Sequence, residues 1–167
     1  LLMSRNIVIA TGGIGQLYKY TTTPSGCLGD GIAACHRAGV MTDDMEFVQF
    51  HPTGFAKKVY DNRVFLISEA VRGEGGILRN KNGEPFMKNV HEMADLAPRD
   101  IVTRAILKEM RRTGDDKVYL DVSSMSEEFF KNRFPTITNV CHTEGINVPY
   151  DKIPVRPTQH YFMGGIK

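Results

Sequence analysis

The sequence predicts an α+β fold. Three observations carry this: short β-branched and aromatic runs, separate stretches of clear helical period, and no internal repeat or low-complexity linker across the 167 residues.

Taken in order, Asn6-Ile7-Val8-Ile9-Ala10 is an apolar, β-branched run ending at Thr11-Gly12-Gly13, which predicts a buried strand entering a tight turn. Asp30 to Ala38 predicts a helix with small residues for close packing, and Gly39 is placed to end it. Glu46 to His51 predicts a strand stopped by Pro52, with Phe47, Gln49 and His51 on one face. Phe65 to Val71 suits a short helix or an extended segment, broken by Gly73 and then Gly75-Gly76. Asn82-Gly83 is a hairpin signal.

The clearest helix runs from about Pro98 to Arg112, with Ile101, Val102, Ala105, Ile106 and Met110 as its apolar stripe and Gly114 closing it. Val118-Tyr119-Leu120 predicts a short strand. Ser124 to Arg133 predicts a helix, with Ser124 and Glu127 at capping-box spacing and Pro135 just past its end. The tail from Ile153 to Lys167, interrupted by Pro154, Pro157 and Gly164-Gly165, predicts extended chain.

Composition narrows the function classes. Hydrophobic residues make up 41% and charged residues 24%, as in an ordinary soluble domain. The 21 Lys and Arg against 19 acidic residues give +2, too balanced for a nucleic-acid binder. The densest basic stretch, Arg104, Lys108, Arg111 and Arg112, reads as a solvated helix face. No apolar run approaches the roughly 20 residues that span a bilayer, and Leu1-Leu2-Met3 before Ser4-Arg5 lacks a signal-peptide layout. A first residue other than Met is expected of a segment cut from something longer. Cys27, Cys35 and Cys141 form no CxxC pair, which argues against a disulfide framework and for a cytoplasmic location. The five histidines lack metal-ligand spacing, so no metal site is expected.

Three places attract chemistry. Ala10-Thr11-Gly12-Gly13 after a strand, with Gly29-Asp30-Gly31 opening a helix, suits phosphate binding at a helix N-terminus or a plain tight turn. Glu69 and Arg72 stand three apart in Ser68-Glu69-Ala70-Val71-Arg72-Gly73-Glu74, as a surface ion pair or part of a site that the following glycines bring close to a neighbour. His51 and His160 sit beside structure-breaking residues, as core histidines or as ligand contacts. Arg99 is a cation in the first turn of a helix, where it opposes the helix dipole. Asp100, Asp95 or an anionic ligand would compensate it.

At these residues the sequence resembles the flavoprotein family of succinate dehydrogenase, fumarate reductase and L-aspartate oxidase. The matching runs are Ala10-Thr11-Gly12-Gly13, Gly29-Asp30-Gly31, Gln49-Phe50-His51-Pro52-Thr53, Ser68 to Gly75, Leu96-Ala97-Pro98-Arg99-Asp100 and His160-Tyr161-Phe162-Met163-Gly164-Gly165, in the family's order. Leu96 to Asp100, Arg133 to Ile137 and His160 to Lys167 are most similar to its L-aspartate oxidase branch.

The resemblance implies that residues 1–45 are a remnant of an α/β FAD-binding domain, 46–160 a capping domain, and 161–167 a return segment. It implies oxidation of L-aspartate to iminoaspartate with FAD, for NAD biosynthesis, with oxygen or fumarate as acceptor and quinolinate synthase as a candidate partner. The succinate dehydrogenase or fumarate reductase branch, and a non-catalytic module that has kept the cap fold, are the alternatives.

By position, the resemblance assigns His51, His160, Gln49 and Ser68 to a dicarboxylate substrate. It assigns Arg99, with Glu69 and Arg72 behind it, to the reaction, and Ala10, Thr11, Gly12, Gly13, Gly29 and Asp30 to FAD. Thr23 stands where the family has Asn, and Cys27-Leu28 precede Gly29 where relatives carry a small residue and a hydroxyl. The family's N-terminal G-x-G-x-x-G unit and its second substrate arginine lie outside the 167 residues. The segment alone is therefore expected to be inactive and without bound FAD.

Overall fold

The computed structural model describes residues 3–60 and 63–167, so Leu1 and Leu2 of the leader reading lie outside them. In chain order the elements are α1 (Asp30–Arg37), β1 (Thr42–Asp43), β2 (Val48–Tyr60), β3 (Arg63–Leu66), α2 (Ala70–Gly73), β4 (Ile77–Arg79), α3 (Arg99–Thr113), β5 (Val118–Asp121), α4 (Glu127–Arg133), α5 (Pro135–Thr143), β6 (Ile153–Phe162) and β7 (Gly165–Ile166), with single 3₁₀ turns between. One sheet has the order β3-β2-β6-β5-β4, every neighbour antiparallel. β1 and β7 pair separately. The α3 helix packs on β2, β5 and β6. This is a mixed helix-and-sheet fold with an antiparallel sheet, as the α+β prediction requires.

Patterning explains the core. On α3 the stripe Val102, Ala105 and Ile106 faces inward, and it meets Leu78, Val118, Leu120, Ile153 and Val155 from the sheet. Ile67, Val71, Phe130, Ile137 and Cys141 close the same cluster. Each fully buried aliphatic or aromatic side chain contributes roughly 1.5–3 kcal/mol. Ile32 is the one buried hydrophobic among residues 3–45; the rest of the core lies between Phe55 and Val155.

Several expectations need correction. Asn6 to Ala10 form no strand: Ile7 and Val8 are 79% and 90% exposed, because no other strand lies beside them among the described residues. Pro52 does not stop its strand. β2 runs through it, and the register slips between His51 and Gly54, so the missing N–H costs no regular ladder bond. Phe47 precedes β2 and is exposed, off the predicted face. The cap of α4 is Ser126, whose Oγ accepts from Phe129 N–H at 3.2 Å, two residues beyond the Ser124 expected. Pro135 opens a further helix, α5, at its first position, where its lack of an N–H does no harm.

Two features place the site. Gln49 pairs with Tyr161 and Phe50 with Gln159, so His160 is the extra residue of a β-bulge. Such a bulge re-aims a side chain and sharpens the local twist. Close by, a Cβ on Gly54 would lie 2.0 Å from Thr158 Oγ1 and 3.0 Å from Val64 Cγ1, so only glycine lets β2 sit this tightly between β6 and β3.

Candidate active site

The bulge and the slip bring His51 and His160 edge to face, their ring centroids 5.4 Å apart. His51 is buried. Its Nδ1 accepts the backbone N–H of Thr53 at 3.2 Å, and the Thr53 hydroxyl is spent on the Ile67 carbonyl at 2.7 Å. A backbone N–H can only donate, so Nδ1 is unprotonated and the neutral ring carries its proton on Nε2. That Nε2 has no partner among the described residues and is not sealed from solvent. Burial, then the Arg99 cation, His160 and Arg72, push the His51 imidazole down to about 3. His160 is lowered too, by burial first and then Arg99. Its Nδ1 lies 2.7 Å from Thr22 Oγ1.

Arg99 projects from the first residue of α3. Its Nε and Nη2 donate to the two Glu69 oxygens at 2.8 and 2.9 Å, and its Nη1 donates to Gln49 Oε1 at 2.9 Å. Hydrogen bonding to Glu69 raises the guanidinium above its ordinary value, and the same bonds hold the Glu69 carboxyl below its own. Behind Glu69, Arg72 Nη2 stands 3.8 Å from the carboxylate, while its Nη1 donates to the Asp95 carbonyl. Arg72 is buried, with Nε unpartnered, so its ion pair with Glu69 forms but is not the exposed surface pair of the plain reading. Burial presses that guanidinium down; Glu69 and Asp95 oppose.

Asp100 pairs with Arg104 at 3.1 Å, and Asp95 accepts from Leu78 N–H. Glu69, and neither aspartate, thus compensates Arg99. The chain Gln49–Arg99–Glu69–Arg72 supplies a fixed fork of donors with a charged tail. It borders a hollow of 520 Å³ with Gln49 and one of 310 Å³ with Glu69 and Arg72, while His160 borders another of 740 Å³ with Thr22. Ser68 is not drawn in by a hydrogen bond: its Oγ accepts from Ala70 N–H at 3.2 Å. Thr22 and Thr53 are the polar groups sequence reasoning missed as partners of the histidines. Thr53 sat inside a quoted motif; nothing in sequence spacing links Thr22 to His160.

The residues expected at FAD lie together. Gly12 and Gly29 have φ of 77° and 79°, and a Cβ on Gly31 would lie 2.0 Å from Thr11 Oγ1. The turn therefore rests against the first turn of α1, which Gly29 and Asp30 open. The backbone groups of Ala10 to Gly13 have no hydrogen bond among the described residues. Exposed N–H groups beside a helix N-terminus fit an anionic, phosphate-bearing group. Among the described residues no cluster of His, Cys, Asp and Glu suits a metal ion, and no helix is long and apolar enough to cross a membrane.

The chain is similar to known proteins in both sequence and fold. A protein named L-aspartate oxidase from Neisseria meningitidis serogroup B is 50% identical over 167 residues, covering 99% of this chain and 33% of that protein. One of the same name from Clostridium perfringens is 46% identical over 166 residues, covering 99% and 36%. The chain thus spans about a third of the length of these curated relatives. Among solved structures, a quinol-fumarate reductase with menaquinol molecules superposes with a TM-score of 0.85 at 37% identity, covering 95% of this chain and 30% of that one. The family described as the FAD binding domain matches residues 2–167, and the chain belongs to that family.

Proposed function

We propose that this segment is the substrate-closing part of an FAD-dependent L-aspartate oxidase. Residues 1–45 and 161–167 belong to the flavin-binding side, and 46–160 form a cap. The concentration of the core between Phe55 and Val155 and the pairing of β1 with β7 support that division. The observation that carries the functional reading is the Arg99 fork, fixed by Glu69 and Gln49 on the strand that also bears His51.

A dicarboxylate needs several fixed donors. Arg99 supplies charge, and His160 and His51 supply neutral N–H groups that bind carboxylate oxygen without a full counter-charge. Ser68 keeps its hydroxyl proton free to donate, since among the described residues its oxygen only accepts. FAD, when bound against Ala10 to Gly13, Gly29 and Asp30, supplies the hydride acceptor. Arg99 stays protonated beside Glu69 and sits over the reacting carbons of the substrate. In the reverse, fumarate-reducing direction it can give up a proton that Glu69 and Arg72 replace along their chain of contacts. Closure of the cap excludes water and strengthens each of these contacts.

The names of the relatives support the L-aspartate oxidase branch. On that reading the product is iminoaspartate for NAD biosynthesis, oxygen or fumarate is the acceptor, quinolinate synthase is a candidate partner and the location is the cytoplasm. The reductase likeness favours a second reading, a fumarate reductase or succinate dehydrogenase flavoprotein. Turnover of L-aspartate, succinate and fumarate by the full-length protein separates them. Flavin reduction by L-aspartate is expected; reduction by succinate with none by L-aspartate overturns the first reading. The isolated 167 residues should be colourless and inactive, and a stoichiometric flavin spectrum would contradict that.

A further inference from the structure

We propose that Thr22 is a positioning residue: its hydroxyl donates to Nδ1 of His160, fixing the imidazole in the form whose proton sits on Nε2 and faces the substrate. This rests on the dicarboxylate reading above and adds the group that makes His160 a donor.

The argument begins with the imidazole. A neutral ring has one N–H and one acceptor nitrogen, and the partner of one nitrogen decides what the other can do. Thr22 Oγ1 lies 2.7 Å from His160 Nδ1, and Nε2 has no hydrogen bond among the described residues. With Thr22 donating, the hydroxyl proton is used and Nε2–H is left for a ligand. In the opposite arrangement the hydroxyl proton has no other described partner, and Nε2 would turn a lone pair toward a carboxylate, which repels it. Next to it, His51 is held in the same form by the backbone N–H of Thr53. Two rings 5.4 Å apart thus receive the same instruction from different donors, one backbone and one hydroxyl.

The backbone holds Thr22 in place independently of its side chain. Thr22 N–H donates to the Gln159 carbonyl at 3.0 Å, and Gln159 N–H donates to the Tyr20 carbonyl at 2.9 Å. Thr21 Oγ1 donates to the buried Gln159 Oε1 at 2.7 Å. Residues 20–22 therefore lie along β6 at the position before His160, and Thr22→Val, of nearly the same shape, keeps that anchoring while deleting the donor.

The test uses the full-length flavoprotein as parent, Thr22→Val and Thr22→Ser. Thr22→Val should raise KM for L-aspartate about tenfold with kcat within about threefold, roughly 1.4 kcal/mol of binding, and Thr22→Ser should restore it. Nitrogen NMR of histidine-labelled protein should show the His160 proton on Nε2 in the parent and a mixture of tautomers in Thr22→Val. An unchanged KM in Thr22→Val, or a parent with the proton on Nδ1, overturns the proposal. Should the parent turn over no L-aspartate, the substrate reading fails by itself, and the NMR result still decides the role of Thr22.

Discussion

Arg99 and Glu69, 30 residues apart in sequence, meet through two parallel hydrogen bonds of 2.8 and 2.9 Å. Glu69 is 49% exposed, so the pair adds at most about 1 kcal/mol to stability. Its worth is geometric: both planar groups are locked, and Gln49 fixes the remaining edge of the guanidinium. A helix start, a loop and a strand thereby aim one cation.

That fork cannot be copied by a point charge. Arg99→Lys keeps the charge but loses the parallel donors, and a misplacement of this kind costs on the order of 100-fold in rate. Steady-state kinetics of the full-length protein should show kcat/KM falling by at least that factor, with Glu69→Gln producing a smaller loss. Equal activity in Arg99→Lys would remove Arg99 from the reaction.

Acid should unfold the protein through His51. In the unfolded chain an imidazole gains its proton near 6.5, whereas His51 in the fold stays neutral to about 3. Between these values the unfolded chain binds more protons, so stability falls as the pH falls. The contribution is complete above 6.5 and is lost progressively toward 3. His160, also lowered, acts in the same sense, and Glu69, held below 4.5, does so at lower pH. The melting temperature of the full-length protein should drop between about pH 7 and 5, and less steeply in His51→Gln. Parallel slopes would show that His51 is not the buried neutral group described.

The cap of α4 offers a sharp comparison. Ser126→Ala removes the oxygen that holds Phe129 N–H and should cost about 1 kcal/mol, while Ser124→Ala should cost almost nothing. Denaturant titration measures both. The reverse order would favour the capping box read from sequence.

Gly54 tests the strand packing beneath the histidines. Gly54→Ala places a methyl group 2.0 Å from the Oγ1 of Thr158, the residue that pairs with His51. Overpacking of this kind costs about 1–3 kcal/mol, and substrate affinity should fall with stability. A neutral effect on both would mean that β2 and β6 part without consequence.

How much of this was legible depended on how local the cause was. The α3 helix was readable because Pro98, the stripe from Ile101 to Met110 and Gly114 are all near neighbours in sequence. The bulge at His160 was not, because it is a mismatch between two strands over 100 residues apart. Pro52 misled, and Pro135 marked the end of α4 without announcing α5, while Pro154 and Pro157 lie in extended chain as expected. Proline marks a missing donor, and whether that ends an element, opens one or sits in a slipped register depends on neighbours the sequence does not show. Ile7 to Ile9 had the composition of a strand but no partner among the described residues. The candidate site residues were visible through motifs, while the Arg99–Glu69 and Thr22–His160 contacts join segments that no motif links.

The most direct test is equilibrium affinity of the full-length oxidised protein for succinate, a non-amino diacid, in the parent and in Arg99→Leu, His51→Gln and His160→Gln. Each substitution is expected to weaken binding about tenfold or more, near 1.4 kcal/mol apiece, with the flavin spectrum unchanged. Three folded, flavin-loaded variants that bind the diacid as tightly as the parent would contradict a shared grip by these side chains.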